Sequence, residues 1–236
     1  LIAQASRHDP GEAEMKMLPP LLASILVASA CAATSIGASA AKAVKAAPLF
    51  KTSFDCAQAK ASIEKLICHD PQLAQMDIEL ERLYLLVLTD DHSVPPRNKV
   101  EIDQQFWIDA RNQCASGSDP KACTVRSYAE RAHLLRQGSM IARTKDPSRL
   151  TEGPVAFRCA GFNGLIAASF FTVEPSVVYL KWANTSALLN QVPSSYETLY
   201  RGKDYKGSYS FRQNGNDAVI QIPGSAEMSC TTEPAS

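Results

Sequence analysis

The chain has no surplus charge of either sign: 24 Lys and Arg balance 24 Asp and Glu over 236 residues. The balance also holds locally, with fourteen basic and fourteen acidic residues in 51–150 and six of each in 153–236. No Lys/Arg run is present to hold nucleic acid. Histidine is scarce, and all four precede residue 134. Ser194 and Ser195 therefore have no histidine base in their own segment. His69, His92 and His133 show no ligand spacing with one another or with free cysteines, so no metal site is expected. A glycine loop able to cradle phosphate is missing. Asp55, Asp70, Asp103 and Asp109 fall at cap or exposed helical positions rather than as an acid pair. These absences argue against an enzyme and against a cofactor, and for a binding protein.

Long apolar runs are absent too. The longest, residues 18–33, is short for a permanent transmembrane helix. It follows Met15-Lys16-Met17, and the combination reads as a secretory signal. Residues 1–14 are polar and read as lying upstream of the natural start, so that residues 1–40 comprise a non-native prefix plus signal peptide. Two processing routes stand open. Ala38-Ser39-Ala40 is a small-x-small cleavage site that releases a soluble chain. Ala28-Ser29-Ala30-Cys31 resembles a lipobox, in which Cys31 is lipidated and attaches the protein to a membrane. Residues 41–50 read as an Ala-rich tether.

The other six cysteines fall into neighbouring pairs. Cys56 with Cys68, Cys114 with Cys123, and Cys159 with Cys230 give three expected disulfides, which places the protein in an oxidising compartment. A crossed pairing among the first four remains a possible connectivity. Pairing divides the chain into a helical domain at 51–137, a polar irregular linker at 138–152, and a β domain at 153–236. The fold class expected is two-domain α+β: a small disulfide-stapled helical bundle, then a small antiparallel β-barrel. The linker is expected to be a flexible junction between independently folding domains.

In the helical segment, Ser62 is a cap for a short helix with Glu64 in its first turn. Asp70-Pro71 and Asp119-Pro120 each pair an N-cap with proline at the first helical position. Leu73, Met76, Leu80, Leu83, Tyr84 and Val87 recur at spacings of three and four. Trp107, Tyr84 and Tyr128 read as core, and Asp77 with Arg111 as a buried pair fixing helix register. The pattern Cys56…Glu64-Lys65-x-Ile67-Cys68-x-Asp70…Asp77…Tyr84, continued by Trp107-x-x-x-Arg111-x-x-Cys114…Cys123…Tyr128-x-x-Arg131, resembles the domain named after the lysozyme inhibitor LprI. The resemblance implies a periplasmic or surface-attached helical module.

In the β segment, short runs at 157–159, 165–171, 177–182, 205–211, 218–222 and 226–230 alternate with turn residues. Phe157-x-Cys159 at the start, Cys230 near the end, Leu189…Ser194-Ser195-Tyr196…Tyr200, and Phe211-Arg212-Gln213-Asn214-Gly215 together resemble the membrane-bound inhibitors of c-type lysozyme. In that family a serine and a lysine from two loops enter the lysozyme cleft and engage its catalytic carboxylates. Here Tyr196 stands at the serine position and Asn214 at the lysine position. Ser195 takes the serine role after a one-residue shift, and Arg212, or Arg201, Lys203 and Lys206, are the nearby cations. The resemblance makes Ser194, Ser195, Tyr196, Tyr200, Arg212 and Asn214 the expected partner-binding set. The function expected is that of a bacterial envelope protein, periplasmic or attached to the outer membrane, that plugs the cleft of c-type lysozyme. The alternative is a protein- or glycan-binding module without lysozyme inhibition.

Overall fold

Two Asp-Pro pairs start the two longest helices. In the computed structural model, which describes residues 49–144 and 150–234, Asp70 accepts a hydrogen bond from the Leu73 amide at 3.0 Å and opens α2 (Pro71–Leu88). Asp119 does the same for Ala122 at 2.9 Å and opens α4 (Pro120–Gly138). Each side chain satisfies an amide that has no partner inside the helix. The short α1 (Ser62–His69) differs from expectation. Ser62 is its first helical residue rather than its cap, and the Glu64 carboxylate reaches back to the amides of Lys60 and Ala61, both at 2.9 Å. α3 (Arg97–Asn112) begins directly after Pro95-Pro96.

Disulfides tie short 3-10 turns to helices. Cys56 in the turn Cys56–Gln58 bonds Cys68 of α1, and Cys114 in the turn Gln113–Ser116 bonds Cys123 of α4. Between the helices Tyr128 is fully buried, and its hydroxyl donates to Asp77 at 2.7 Å while accepting from Arg111 at 3.0 Å. Asp77 and Arg111 are 4.0 Å apart, so the expected register pair exists with a tyrosine hydroxyl between its members. The Arg111 guanidinium also lies 5.2 Å from the Trp107 ring centroid.

The 138–152 segment is not irregular chain where it is described. Ser139 accepts from the Ala142 amide and donates to the buried Asp90 carboxylate at 2.5 Å, which starts α5 (Met140–Thr144). The first strand, β1 (Thr151–Cys159), already begins at Thr151. A short polar run shows no apolar period, yet a serine cap bonded to a distant aspartate is enough to start a helical turn.

Eight antiparallel strands close into a barrel in sequence order: β1, β2 (Leu165–Phe171), β3 (Val177–Trp182), β4 (Thr185–Val192), β5 (Thr198–Asp204), β6 (Gly207–Asn214), β7 (Asp217–Gln221) and β8 (Met228–Thr232). β8 returns to β1, where Cys159 faces Cys230 across the ladder and the two form the third disulfide. Phe157, Ile166, Val178, Leu180, Leu189, Phe211 and Ile220 fill the interior. Several expected strand limits shift. Tyr205 and Lys206 form the β5–β6 turn instead of starting a strand, because Asp204 accepts from the Lys206 and Gly207 amides. The last strand starts at Met228 rather than residue 226.

All described residues belong to one compact unit. The helices lie against the outside of the barrel, and Phe171, Val173, Val177 and Tyr179 share one apolar core with Leu73, Leu83, Tyr128 and Leu135. Polar contacts seal the same face: Gln72 donates to the Pro175 carbonyl at 2.6 Å, and Arg136 to the Gly153 carbonyl at 2.6 Å. A flexible junction between independent domains did not anticipate this common core. The signal peptide, Cys31 and the tether up to residue 48 lie outside the described residues, and no described helix is long and apolar enough to cross a membrane.

Candidate functional site

Strand register decides which loops meet. Val192 pairs with Leu199, Thr198 with Gln213, and Asn214 with Asp217. The 193–197 loop and the β6–β7 turn therefore lie side by side at one end of the barrel. Val177 pairs with Asn190, which brings the β2–β3 connection to the same end. Ser194, Ser195, Tyr196 and Asn214 are all exposed there, and Tyr196 is 99% exposed. Gly215 turns the β6–β7 hairpin at φ 61, a conformation that glycine adopts without strain.

The structure brings together four of the six expected partner-binding residues as freely presented groups. The other two are engaged elsewhere. Tyr200 is 6% exposed and faces the barrel interior, with its ring 6.3 Å from Phe170 and 6.2 Å from Phe211. Burial raises its pKa. In a strand beside a turn, one position decides whether a side chain points in or out, and Tyr200 falls on the inward set. Arg212 points outward but donates to Glu227 at 2.7 Å and to Glu197 at 3.5 Å. Its charge is thereby matched within the barrel, and Glu197 ties the exposed loop to β6. Lys203 lies beside the β5–β6 turn and Lys206 within it, and Thr198↔Gln213 and Asp204↔Gly207 place that turn at the opposite end of β5. They cannot stand in for a cation at position 214. Arg201 sits midway along the strand, opposite Ser210.

Two depressions flank the loop. One, of about 600 Å³, is polar and runs between Glu174, Pro175 and Ser176 on one side and Ser194, Ser195 and Tyr196 on the other. The second, of about 620 Å³, lies on the outer barrel wall beside Arg158, Glu197, Arg212, Asn214 and Val219. Glu197 borders both. Sequence reasoning did not include the 174–176 wall. Its proline and serine marked a turn, but only register shows which loop that turn faces.

Chemistry of catalysis has little to work with at this end. Among the described residues the one hydrogen-bonded serine–imidazole pair is Ser169 with His133, Oγ to Nδ1 at 2.8 Å. Both are buried where β2 meets α4, closed to any substrate. Among the described residues no group of His, Cys, Asp and Glu is arranged to hold a metal ion.

The chain is similar to the proteins named Lipoprotein LprI of Mycobacterium bovis and of Mycobacterium tuberculosis. Identity is 29% over 170 residues, which is 72% of this chain and 78% of each of those proteins. A stretch of that length within 236 residues necessarily takes in residues 67–170, so the likeness crosses from the helices into the barrel. No protein-family profile matches the chain, and no solved structure does.

Proposed function

We propose that the protein is an exported bacterial envelope protein that binds c-type lysozyme and blocks its cleft with the 193–197 loop and the β6–β7 turn. The observation that carries this reading is the meeting of those two segments. They are the ones that the resemblance to the membrane-bound lysozyme inhibitors singles out, and they stand adjacent and exposed at one end of the barrel. Similarity to lipoproteins supports the envelope location, periplasmic or attached to the outer membrane, with lipidation at Cys31 as the means of attachment. In the interface, Ser194 and Ser195 offer hydroxyls and Tyr196 an exposed ring with a polar tip, the residue type that contributes most at protein interfaces.

A second reading rests on the charge at this end. Asn214 supplies hydrogen bonds but no cation, and Arg212 is already held by Glu197 and Glu227. A cleft lined by carboxylates would then meet no free positive charge, which favours a different envelope protein or a glycan as partner. Turbidity loss of bacterial cell walls under c-type lysozyme, with and without the purified protein, separates the two. Slowed lysis that is lost when Ser195 and Tyr196 are both alanine supports inhibition through these loops. Undiminished lysis at a large excess of protein leaves the second reading.

A further inference from the structure

The helical segment holds a pocket of its own, away from the barrel loops. It has a volume of about 470 Å³, within the range of roughly 300–1,000 Å³ typical of small-molecule sites. Val87, Val100 and Leu135, all buried, form its floor, while Val94 and Leu134, both exposed, stand at its rim. Two charged side chains are set into this lining: Arg131 of α4, 8% exposed, and Asp103 of α3.

Arg131 differs from the other well-buried arginine with a mapped charge partner. Arg111 has Asp77 at 4.0 Å and a tyrosine hydroxyl between them. Arg131 has only neutral acceptors: its Nε donates to the Gln104 side-chain oxygen at 2.9 Å and its Nη2 to the Val100 carbonyl at 3.3 Å. Among the described residues its Nη1 makes no hydrogen bond, and no carboxylate lies within 4.0 Å of the guanidinium. Asp103, the acid in the same lining, is engaged by Lys99 at 2.7 Å. Burial lowers the Arg131 pKa, Asp103 and Tyr84 opposing the shift, and the group remains a cation at neutral pH. A largely buried guanidinium with no carboxylate in direct contact keeps part of its fork free, and that fork matches a carboxylate.

We propose that this pocket binds a small anionic amphiphile, a medium-chain alkyl carboxylate, with its head on Arg131 and its chain along Val87, Val94, Val100, Leu134 and Leu135. The geometry supplies a partner for both halves of that ligand: a guanidinium with no carboxylate in direct contact at the wall, the Asp103 carboxylate being held by Lys99, and an apolar trough open at the rim. An alkyl ammonium of equal length would face the same apolar wall with the wrong charge, and an alcohol would leave the guanidinium unmatched.

Isothermal titration of the purified protein with decanoate, 1-decanol and decylamine tests this. Decanoate is expected to bind with a dissociation constant below about 1 mM and at least about tenfold more tightly than either analogue. Arg131→Gln should weaken decanoate binding by about tenfold or more. Because that change alters a buried group, Leu134→Trp provides the decisive variant: it fills the pocket from an exposed rim position and keeps the guanidinium. It should abolish decanoate binding while leaving the circular dichroism spectrum and thermal midpoint unchanged. Equal binding of all three probes, no decanoate binding up to millimolar concentration, or unaltered decanoate affinity in a folded Leu134→Trp variant each overturns the proposal.

Discussion

At the scale of single residues, the charge at position 214 separates the two readings of function. Asn214 is exposed beside the 193–197 loop, and the nearest strand cation, Arg212, is occupied by two glutamates. If the loops enter the lysozyme cleft, Asn214→Lys supplies the missing cation. A new charge-assisted bond is worth about 1.5–3 kcal/mol, or roughly tenfold or more in the inhibition constant. Steady-state lysozyme assays check this, and an unchanged constant in Asn214→Lys together with a silent Ser195→Ala/Tyr196→Ala variant removes these loops from the interface. His133 gives a second residue-scale prediction. It is buried between α4 and β2, its Nδ1 meets Ser169, and its Nε2 has no partner. Burial first, and the nearby Lys181 second, push its pKa down to about 4. An unfolded chain returns it to about 6.5, so the unfolded state takes up the proton first as pH falls. The stability tied to neutral His133 is complete above about pH 6.5 and is lost progressively down to about pH 4, about 3 kcal/mol in all. Urea midpoints at pH 7 and 4.5 should differ by less in His133→Gln than in the parent protein. An equal pH dependence in both would remove His133 as the cause.

At the scale of elements, staples and strands differ in how openly the sequence shows them. The disulfide Cys159–Cys230 spans a sequence separation of 71, against 12 and 9 for the helical pair of bridges. In the chain-entropy view the longer loop contributes about 4 kcal/mol and the shorter ones about 3 kcal/mol each. Replacing Cys159 and Cys230 by alanine should therefore lower the denaturation midpoint more than replacing Cys114 and Cys123. Parallel urea titrations of the two variants compare them directly, and the reverse order would show that the barrel's ladder holds its ends without the bridge. Two strands escaped the sequence reading, β4 and β5. In β4, Leu188 and Leu189 are adjacent and both apolar, so alternation vanishes. Leu189 fills the barrel while Leu188 packs on the core that the barrel wall shares with the helices. In β5, Tyr200 is the sole large apolar residue pointing inward. Gly202 leaves room for the neighbouring strand, since a side chain there would meet the Leu188 carbonyl at 2.8 Å. A strand whose outer face is buried by another layer, or whose inner face is nearly bare, loses the period-two signal.

At the scale of the molecule, the helices and the barrel are expected to unfold together. Phe171 and Val177 of the barrel lie in the same core as Leu83 and Leu135 of the helices, so neither part keeps its buried surface without the other. The two tryptophans report on each part: Trp107 on α3 and Trp182 on β3. In Trp107→Phe and Trp182→Phe backgrounds, fluorescence transitions in urea should coincide. Phe171→Ala, costing about 3–5 kcal/mol, should move both by the same amount. Two separate transitions, with only the Trp182 signal shifted, would make the parts independent.

By itself the sequence determined the four longer helices, the neighbouring cysteine pairs and the fold class. Asp-Pro caps, apolar spacing and close cysteine pairs act over a few residues, and their energies hardly depend on what lies elsewhere. Only the tertiary structure decided which loops share an end of the barrel, that Tyr200 points inward, that Arg212 is already matched, and that the helices close over β2 and β3. Those outcomes rest on strand register and on contacts between distant residues. A one-residue slip in register exchanges the two faces of a strand, and local composition does not set that register.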